Sequence, residues 1–176
     1  MKTLSTTLFS TATLAMCALL MLGAQVRSEE NKAGLTSGEV SFIKQAAADG
    51  QAEVKLAELA MKKGASADVK ALAETLAAEH IKTNAELTQF ASAKSVDISA
   101  VIDPKAADKF QDLEKQGTGT DFDNAYIDEV VASHKKCIDA FEDISKDTKN
   151  AELKAWVDKT LPGLRAHHAK AKELDK

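Results

Sequence analysis

Four long stretches of the sequence carry apolar residues at every third or fourth position, the spacing that places them along one face of an α-helix. The alternation typical of strands is missing, aromatic residues make up 5% of the chain, and the sequence has two prolines. Amphipathic helices bury their apolar faces by packing against one another. The sequence therefore predicts an all-α fold, and 176 residues are enough for one domain with a hydrophobic core.

Capping residues set the expected bounds of these helices. Gly64 is a natural end for the first helix, and Ser66 is a natural cap for the second. The expected helices are residues 37–63, about 66–94, about 120–146, and about 148 to near the end of the chain.

A long connection separates the second expected helix from the third. It contains Asp103-Pro104, a favourable helix start, and closes with the flexible sequence GTGT at residues 117–120. Two tight helical hairpins joined by one long crossover are the layout of a ferritin-like four-helix bundle. We expect this topology over residues 37–176, with an up-down bundle and a long loop as the alternative.

The first 24 residues have the composition of a secretory signal peptide. One lysine precedes a run of apolar and small residues that is too short, and wrongly flanked, for a stable membrane anchor. Cleavage after Ala24, or as late as Ser28, leaves Cys137 as the one cysteine of the mature chain, so an intramolecular disulfide is excluded. We expect a periplasmic or secreted protein whose mature chain has no transmembrane anchor.

The charge composition argues against a nucleic-acid partner. The chain has 27 acidic and 23 basic residues, which gives a formal net charge of −4, and the two signs are interspersed. Nucleic-acid-binding proteins instead concentrate positive charge on one surface. The sequence also has no phosphate-binding loop or dinucleotide fingerprint. Metal ions fit this composition better, and an envelope protein or a second copy of the chain remains open as a partner.

Each of the four apolar faces carries one ionisable residue near the middle of its helix. These residues are Glu53, His80, His134 and His167, the last somewhat past the middle of its helix. At about 1.5 Å per residue, their heights allow all four side chains to meet in the core. One carboxylate and three imidazoles from four helices are a ligand set for a divalent transition metal: zinc, copper, nickel or iron.

Other polar residues on these faces are candidates for the surroundings of the site. The expected network consists of Asn84, Asp123, Tyr126 and Cys137. Glu79 is a further candidate, because a carboxylate next to the site can orient a histidine. His168 points about 100° away from its neighbour His167, so we expect it near the surface.

The fourth helix contains two residues that weaken helices, Pro162 and Gly163, shortly before His167. Pro162 cannot donate a backbone hydrogen bond to Asp158, so we expect the helix to bend there. The bend either aims His167 into the core or follows the curvature of the bundle.

The sequence leaves three functions open. The first is an exported metal-binding bundle. The second is a structural or interaction protein of the cell envelope whose polar cluster only fixes helix packing, since buried polar groups must satisfy one another in either case. The third is a metal-dependent oxidoreductase of a stress response with Tyr126 near the metal. No catalytic residue is predicted.

Four segments of the sequence resemble one family: SFIKQAAADGQAEVKLAELA, AAEHIKTNAEL, FDNAYIDEVVASHKK and LPGLRAH. They are similar to the exported ferritin-like proteins grouped as domain of unknown function 4142, and the resemblance extends from about Ser41 to Leu174. Members of this family are often labelled outer membrane or periplasmic proteins. The motif positions of this family correspond in this sequence to Phe42, Gly50, Glu53, His80, Asn84, Phe122, Asp123, Tyr126, His134, Leu161, Pro162 and His167.

The resemblance implies the ferritin-like fold but little chemistry. The chain departs from the family pattern at Glu79 and Ser133, where an aspartate often precedes each histidine. Di-iron proteins of this fold place a carboxylate three residues before each histidine ligand. Ala77, Val131 and Leu164 occupy those positions here, so a di-iron oxygenase or ferroxidase is not expected.

Overall fold

A computed structural model describes residues 34–99 and 103–175, which form five α-helices. The expected signal peptide, residues 1–24, lies outside the described residues. The helices are α1 (Ser37–Lys63), α2 (Ala67–Ala93), α3 (Pro104–Lys115), α4 (Thr120–Asp147) and α5 (Ala151–Leu174). The four long helices and the short helix after Asp103 are those that the sequence predicts.

The start of α5 differs from the sequence-based expectation by three residues. Thr148 still belongs to the end of α4, because its N–H donates to the carbonyl of Ile144 at 2.9 Å. Asn150 is the residue that caps α5, and its side-chain oxygen accepts from the N–H of Leu153 at 2.9 Å. Pro162 lies inside α5 without ending it.

Two contacts at opposite ends of the bundle fix the directions of the helices. At one end, the Asp123 carboxylate near the start of α4 accepts from the N–H groups of Ala65 and Ser66 in the turn between α1 and α2, at 3.0 and 2.8 Å. At the other end, the Thr148 hydroxyl donates to Glu39 in the first turn of α1. The four long helices α1, α2, α4 and α5 therefore run up, down, down and up, which is the ferritin-like topology.

The helices pack as two hairpins joined by the crossover. α1 packs against α2 and α4 against α5, and the hairpins meet along α1–α4 and α2–α5. Within the crossover, α3 lies against α1 and α4, and Lys63 Nζ donates to the carbonyl oxygens of Glu114 and Gln116 at 2.5 and 2.6 Å. No helix in the described residues is long and apolar enough to cross a membrane.

The core consists of two hydrophobic clusters separated by a polar layer. The upper cluster, nearer the α1–α2 turn, includes Leu76, Tyr126 and Val130. The lower cluster, nearer the start of α1, includes Leu87, Phe141, Trp156, Val157 and Leu164. Each long helix of the bundle has one buried polar residue between the two clusters, and these residues are Glu53, His80, His134 and His167. The polar layer thus lies between the two apolar clusters.

Candidate metal centre

Three histidines from three helices meet in the polar layer. His80 on α2, His134 on α4 and His167 on α5 each offer one ring nitrogen, and these nitrogens lie within 4.8 Å of one another. The side chains are deeply buried, since the residues are 8%, 1% and 6% exposed. Helical spacing and matched helix lengths place them at one height, as the sequence predicts.

The hydrogen bond of His134 determines which of its ring nitrogens is free. Its Nδ1 lies 3.1 Å from the backbone carbonyl oxygen of Val130, one turn earlier in α4. A carbonyl oxygen only accepts, so Nδ1 carries the hydrogen. The Nε2 atom of His134 therefore has a lone pair directed into the centre of the layer.

His167 has the opposite arrangement of nitrogens. Its Nε2 lies 3.0 Å from Oε2 of Glu79, and a carboxylate also only accepts, so Nε2 donates and, in the neutral ring, Nδ1 has the lone pair. That Nδ1 lies 3.3 Å from Nε2 of His134. Two nitrogen lone pairs that face each other at this distance repel unless a cation lies between them.

His80 adds a third nitrogen without a partner. Its Nε2 is shut off from solvent and has no hydrogen-bond partner among the described residues. Leaving such a buried atom unpaired costs about 1–3 kcal/mol. A metal ion bound to this nitrogen would satisfy its lone pair.

The spacing of the nitrogens suits a metal ion. Imidazole nitrogens bind zinc at about 2.0–2.1 Å, so neighbouring ligands of a tetrahedral ion lie about 3.3–3.4 Å apart. The His134–His167 distance of 3.3 Å has this value. The His80 nitrogen, which lies within 4.8 Å of the other two, is the third of the set.

Burial favours the neutral imidazole, which is the form that binds metals. The pKa of His80 falls to about 4 because of burial and the nearby positive charge of His167. The pKa of His134 falls to about 3 because of burial and the charges of His80 and His167. The pKa of His167 is also lowered by burial, although Glu79 opposes the shift.

Glu53 lies beside the three histidines rather than among them. Its Oε1 accepts from the Ser133 hydroxyl at 2.6 Å and lies 3.7 Å from Nδ1 of His134, the outer nitrogen of that ring. Burial raises the pKa of Glu53 to about 7, although the Ser133 hydrogen bond opposes the shift. The predicted ligand Glu53 therefore reaches the site, but next to the outer edge of a histidine.

A cavity of about 340 Å³ adjoins the polar layer. Asn84 and Cys137, both expected near the site, line this cavity together with His80 and His167. Burial and the charges of Asp49 and Glu53 raise the pKa of the Cys137 thiol to about 12. Cys137 therefore stays protonated at neutral pH.

Comparison with known proteins assigns the family. The profile described as Domain of unknown function (DUF4142) matches residues 24–174. The chain belongs to the DUF4142 family. No curated protein is significantly similar to it in sequence.

Two solved structures share the fold of this DUF4142 protein. A crystal structure of a DUF305 fragment from Deinococcus radiodurans matches with a TM-score of 0.70 and 11% identity, and it covers 79% of this chain and 95% of the fragment. A structure of CopM in the Cu(II)-bound form matches with a TM-score of 0.65 and 17% identity, and it covers 78% of this chain and 95% of CopM. At these identities the likeness shows the helical bundle alone.

Two residues of the expected network lie away from the histidines of this DUF4142 protein. Asp123 precedes His134 by 11 residues, about 16 Å along α4, and binds the α1–α2 turn instead. Tyr126 lies in the upper cluster about two turns from His134, with its hydroxyl buried and without a hydrogen-bond partner in the described part of the chain. Burial and the charge of Glu53 raise the pKa of Tyr126.

One contact at the DUF4142 site escapes sequence reasoning, and another is only partly anticipated. The bond from Ser133 to Glu53 joins α4 to α1, and nothing in the sequence but the position of Ser133 next to His134 points to it. Glu79 does orient a histidine, but across helices, since it belongs to α2 and accepts from His167 on α5. Gly163 lies beside this contact, and a Cβ atom there would make an ordinary van der Waals contact of 3.4 Å with Glu79 Oε2.

Proposed function

We propose that this DUF4142 protein is an exported helical bundle that binds one divalent transition-metal ion through His80, His134 and His167. The observation that carries the proposal is the 3.3 Å approach of His134 Nε2 to His167 Nδ1, in two rings whose outer nitrogens each face an acceptor. The unpaired Nε2 of His80 supports it independently. Bonds to the Val130 carbonyl and the Glu79 carboxylate hold the two facing rings in the tautomers that a metal requires.

Imidazole ligands suit zinc, copper, nickel and iron. Copper is the first ion to test, because CopM, which has the same fold, is known in a Cu(II)-bound form. A bound ion of this kind supplies Lewis acidity or, for copper and iron, electron transfer. The residues of the chain hold the ion and keep the imidazoles neutral.

A structural role for the same cluster has one observation in its favour. If His167 carried a second proton, its ring would donate from Nδ1 to His134 and from Nε2 to Glu79, and both short contacts would be satisfied without a metal. The cluster would then specify only the packing of α2, α4 and α5. Burial opposes this state, because it lowers the pKa of His167.

A titration of the metal-free protein with Cu(II), Zn(II), Ni(II) and Fe(II) tests the proposal. We expect one ion per chain. His167→Ala removes one ligand of three, so its affinity should fall by more than the roughly 10–100-fold that loss of an outer-shell partner costs. The matched control is His168→Ala, since His168 is the adjacent residue and lies outside the cluster. Equal affinities for the wild type and His167→Ala would support the structural role instead.

A further inference from the structure

The polar layer is closed on one side and open on the other. Towards the upper cluster it is covered by Leu76 and Val130, which are 0% and 1% exposed. Towards the lower cluster, the next turn of each helix carries a small or polar residue. These residues are Gly50 on α1, Asn84 on α2, Cys137 on α4 and Gly163 on α5. Any open face of a metal held by the histidines is thus on the lower side.

The cavity of about 340 Å³ occupies this lower side. All four of these residues line it, and so do Glu53, His80 and His167. Gly50 also fixes one wall, because a Cβ atom at this position would lie 2.1 Å from Oδ1 of Asn84. The cavity therefore reaches two of the three proposed ligands and exposes an amide and a carboxyl group beside them.

The charges around the cavity favour neutral molecules over anions. Among the lining residues, Glu86 is paired with Lys159 at 2.8 Å. The other acidic residues of the lining are Asp49, Glu53 and Glu79, against one basic residue, Lys82. These carboxyl groups offset the positive charge of a bound divalent ion, so an anion is attracted to it less than to an uncompensated cation, whereas the binding of a neutral molecule does not depend on that charge.

We propose that the bound metal keeps a fourth coordination position on the cavity side and that the cavity admits a small neutral ligand with a nitrogen lone pair. The Asn84 amide and the Glu53 carboxyl offer hydrogen bonds to such a ligand. This inference rests on the proposed metal site. Catalytic zinc sites commonly have three protein ligands, such as three histidines, and keep the fourth coordination position for water or substrate.

The test uses the copper-loaded protein with imidazole as the neutral probe and azide as the anionic probe. Bound copper is first measured by mass spectrometry after gel filtration, with and without imidazole. Binding of each probe is then followed by electron paramagnetic resonance and visible absorption. The cavity-filling variant is Thr160→Phe, since Thr160 lines the cavity without belonging to the proposed ligands. Thr75→Phe is its control, because both threonines donate to the carbonyl four residues earlier and Thr75 is exposed.

We expect imidazole to bind saturably to the copper protein, azide to bind at least tenfold more weakly, and Thr160→Phe to lose imidazole binding while it retains copper. Thr75→Phe should behave as the wild type. Three results with the copper-loaded protein would overturn this inference alone: it binds no imidazole, imidazole removes its copper, or it binds azide more tightly than imidazole. Unchanged imidazole binding in Thr160→Phe would also overturn it. A protein that loads no metal would overturn the proposed function as well.

Discussion

His134 Nε2 and His167 Nδ1 face each other across 3.3 Å in the middle of the bundle, and the outer nitrogen of each ring is bonded to an acceptor. These acceptors come from the Val130 backbone and from the side chain of Glu79 on a third helix. The arrangement directs lone pairs inward from α4 and α5, and His80 supplies a third nitrogen from α2. A cation at the centre turns this repulsive arrangement into a stable one.

Replacing Glu79 by glutamine should weaken metal binding about 10–100-fold, as loss of a residue that orients a metal ligand usually does. A neutral amide no longer selects the tautomer of His167 whose Nδ1 is free. Competition with a coloured chelator measures the affinity. Glu74→Gln is the control, because Glu74 is an exposed residue of the same helix. An unchanged affinity in Glu79→Gln would show that the carboxylate does not position the ring.

Acid should destabilise the metal-free protein. The folded-state pKa values of His80 and His134, about 4 and about 3, lie below the ordinary value of 6.5. The unfolded chain therefore takes up protons that the folded protein does not. Below about pH 6.5, each of these two histidines lowers the unfolding free energy by up to about 1.4 kcal/mol for every unit that the pH falls. Urea unfolding measures the difference in unfolding free energy between pH 7 and pH 5. This difference should be smaller in His80→Leu than in the wild type and unchanged in His168→Leu.

Glu53 should oppose this pH dependence. Its folded-state pKa of about 7 lies above the ordinary value of 4.5, so the folded protein binds the extra proton between these pH values. Its contribution to stability is therefore present at low pH and lost as the pH rises to 7. Glu53→Gln should make the loss of unfolding free energy between pH 6.5 and pH 5 steeper, by on the order of 1 kcal/mol per pH unit. Glu58→Gln, at an exposed position of α1, should leave the slope unchanged; an equal slope in both variants would contradict the burial effect.

Asp123 should matter for stability and not for metal binding. Asp123→Ala leaves the N–H groups of Ala65 and Ser66 without their acceptor, and we expect a loss of about 1–3 kcal/mol in unfolding free energy. Chemical denaturation measures this loss, and titration should show the wild-type metal affinity. The control is Asp121→Ala, in the same first turn of α4 but exposed. A large loss of metal affinity in Asp123→Ala would contradict the assignment of this residue to the α1–α2 turn.

Local signals in the sequence were sufficient to predict most helix bounds. α1 ends at Gly64 as the sequence predicts, because a C-terminal cap acts within one turn of the helix. Its predicted start at Ser37 is also confirmed, and the structure shows a capping box between Thr36 and Glu39 there. The start of α5 was predicted too early, because Thr148 and Asn150 are both typical capping residues. The structure uses Thr148 to contact Glu39 on α1, and a contact between distant helices is not visible in local sequence.

The meeting of the three histidines was also predictable, because helical spacing sets the face and helix length sets the height. The position of Glu53 next to His134, and the bond from His167 to Glu79, depend on how each helix rotates about its axis. Periodicity defines that rotation only within about one position, or about 100°. Asp123 differs from His134 in height and not in face, because the 11 residues between them are about three turns of α4 and place Asp123 at the α1–α2 turn.

Metal content is the most direct test of the central claim. The protein is purified from cells without chelators or a histidine tag, alongside a His80→Ala/His134→Ala double variant, and both are measured by mass spectrometry. The three-histidine site predicts close to one transition-metal ion per wild-type chain and almost none in the double variant. A metal-free wild type that also shows no thermal shift with zinc, copper, nickel or iron would contradict it, as would equal metal content in the two proteins.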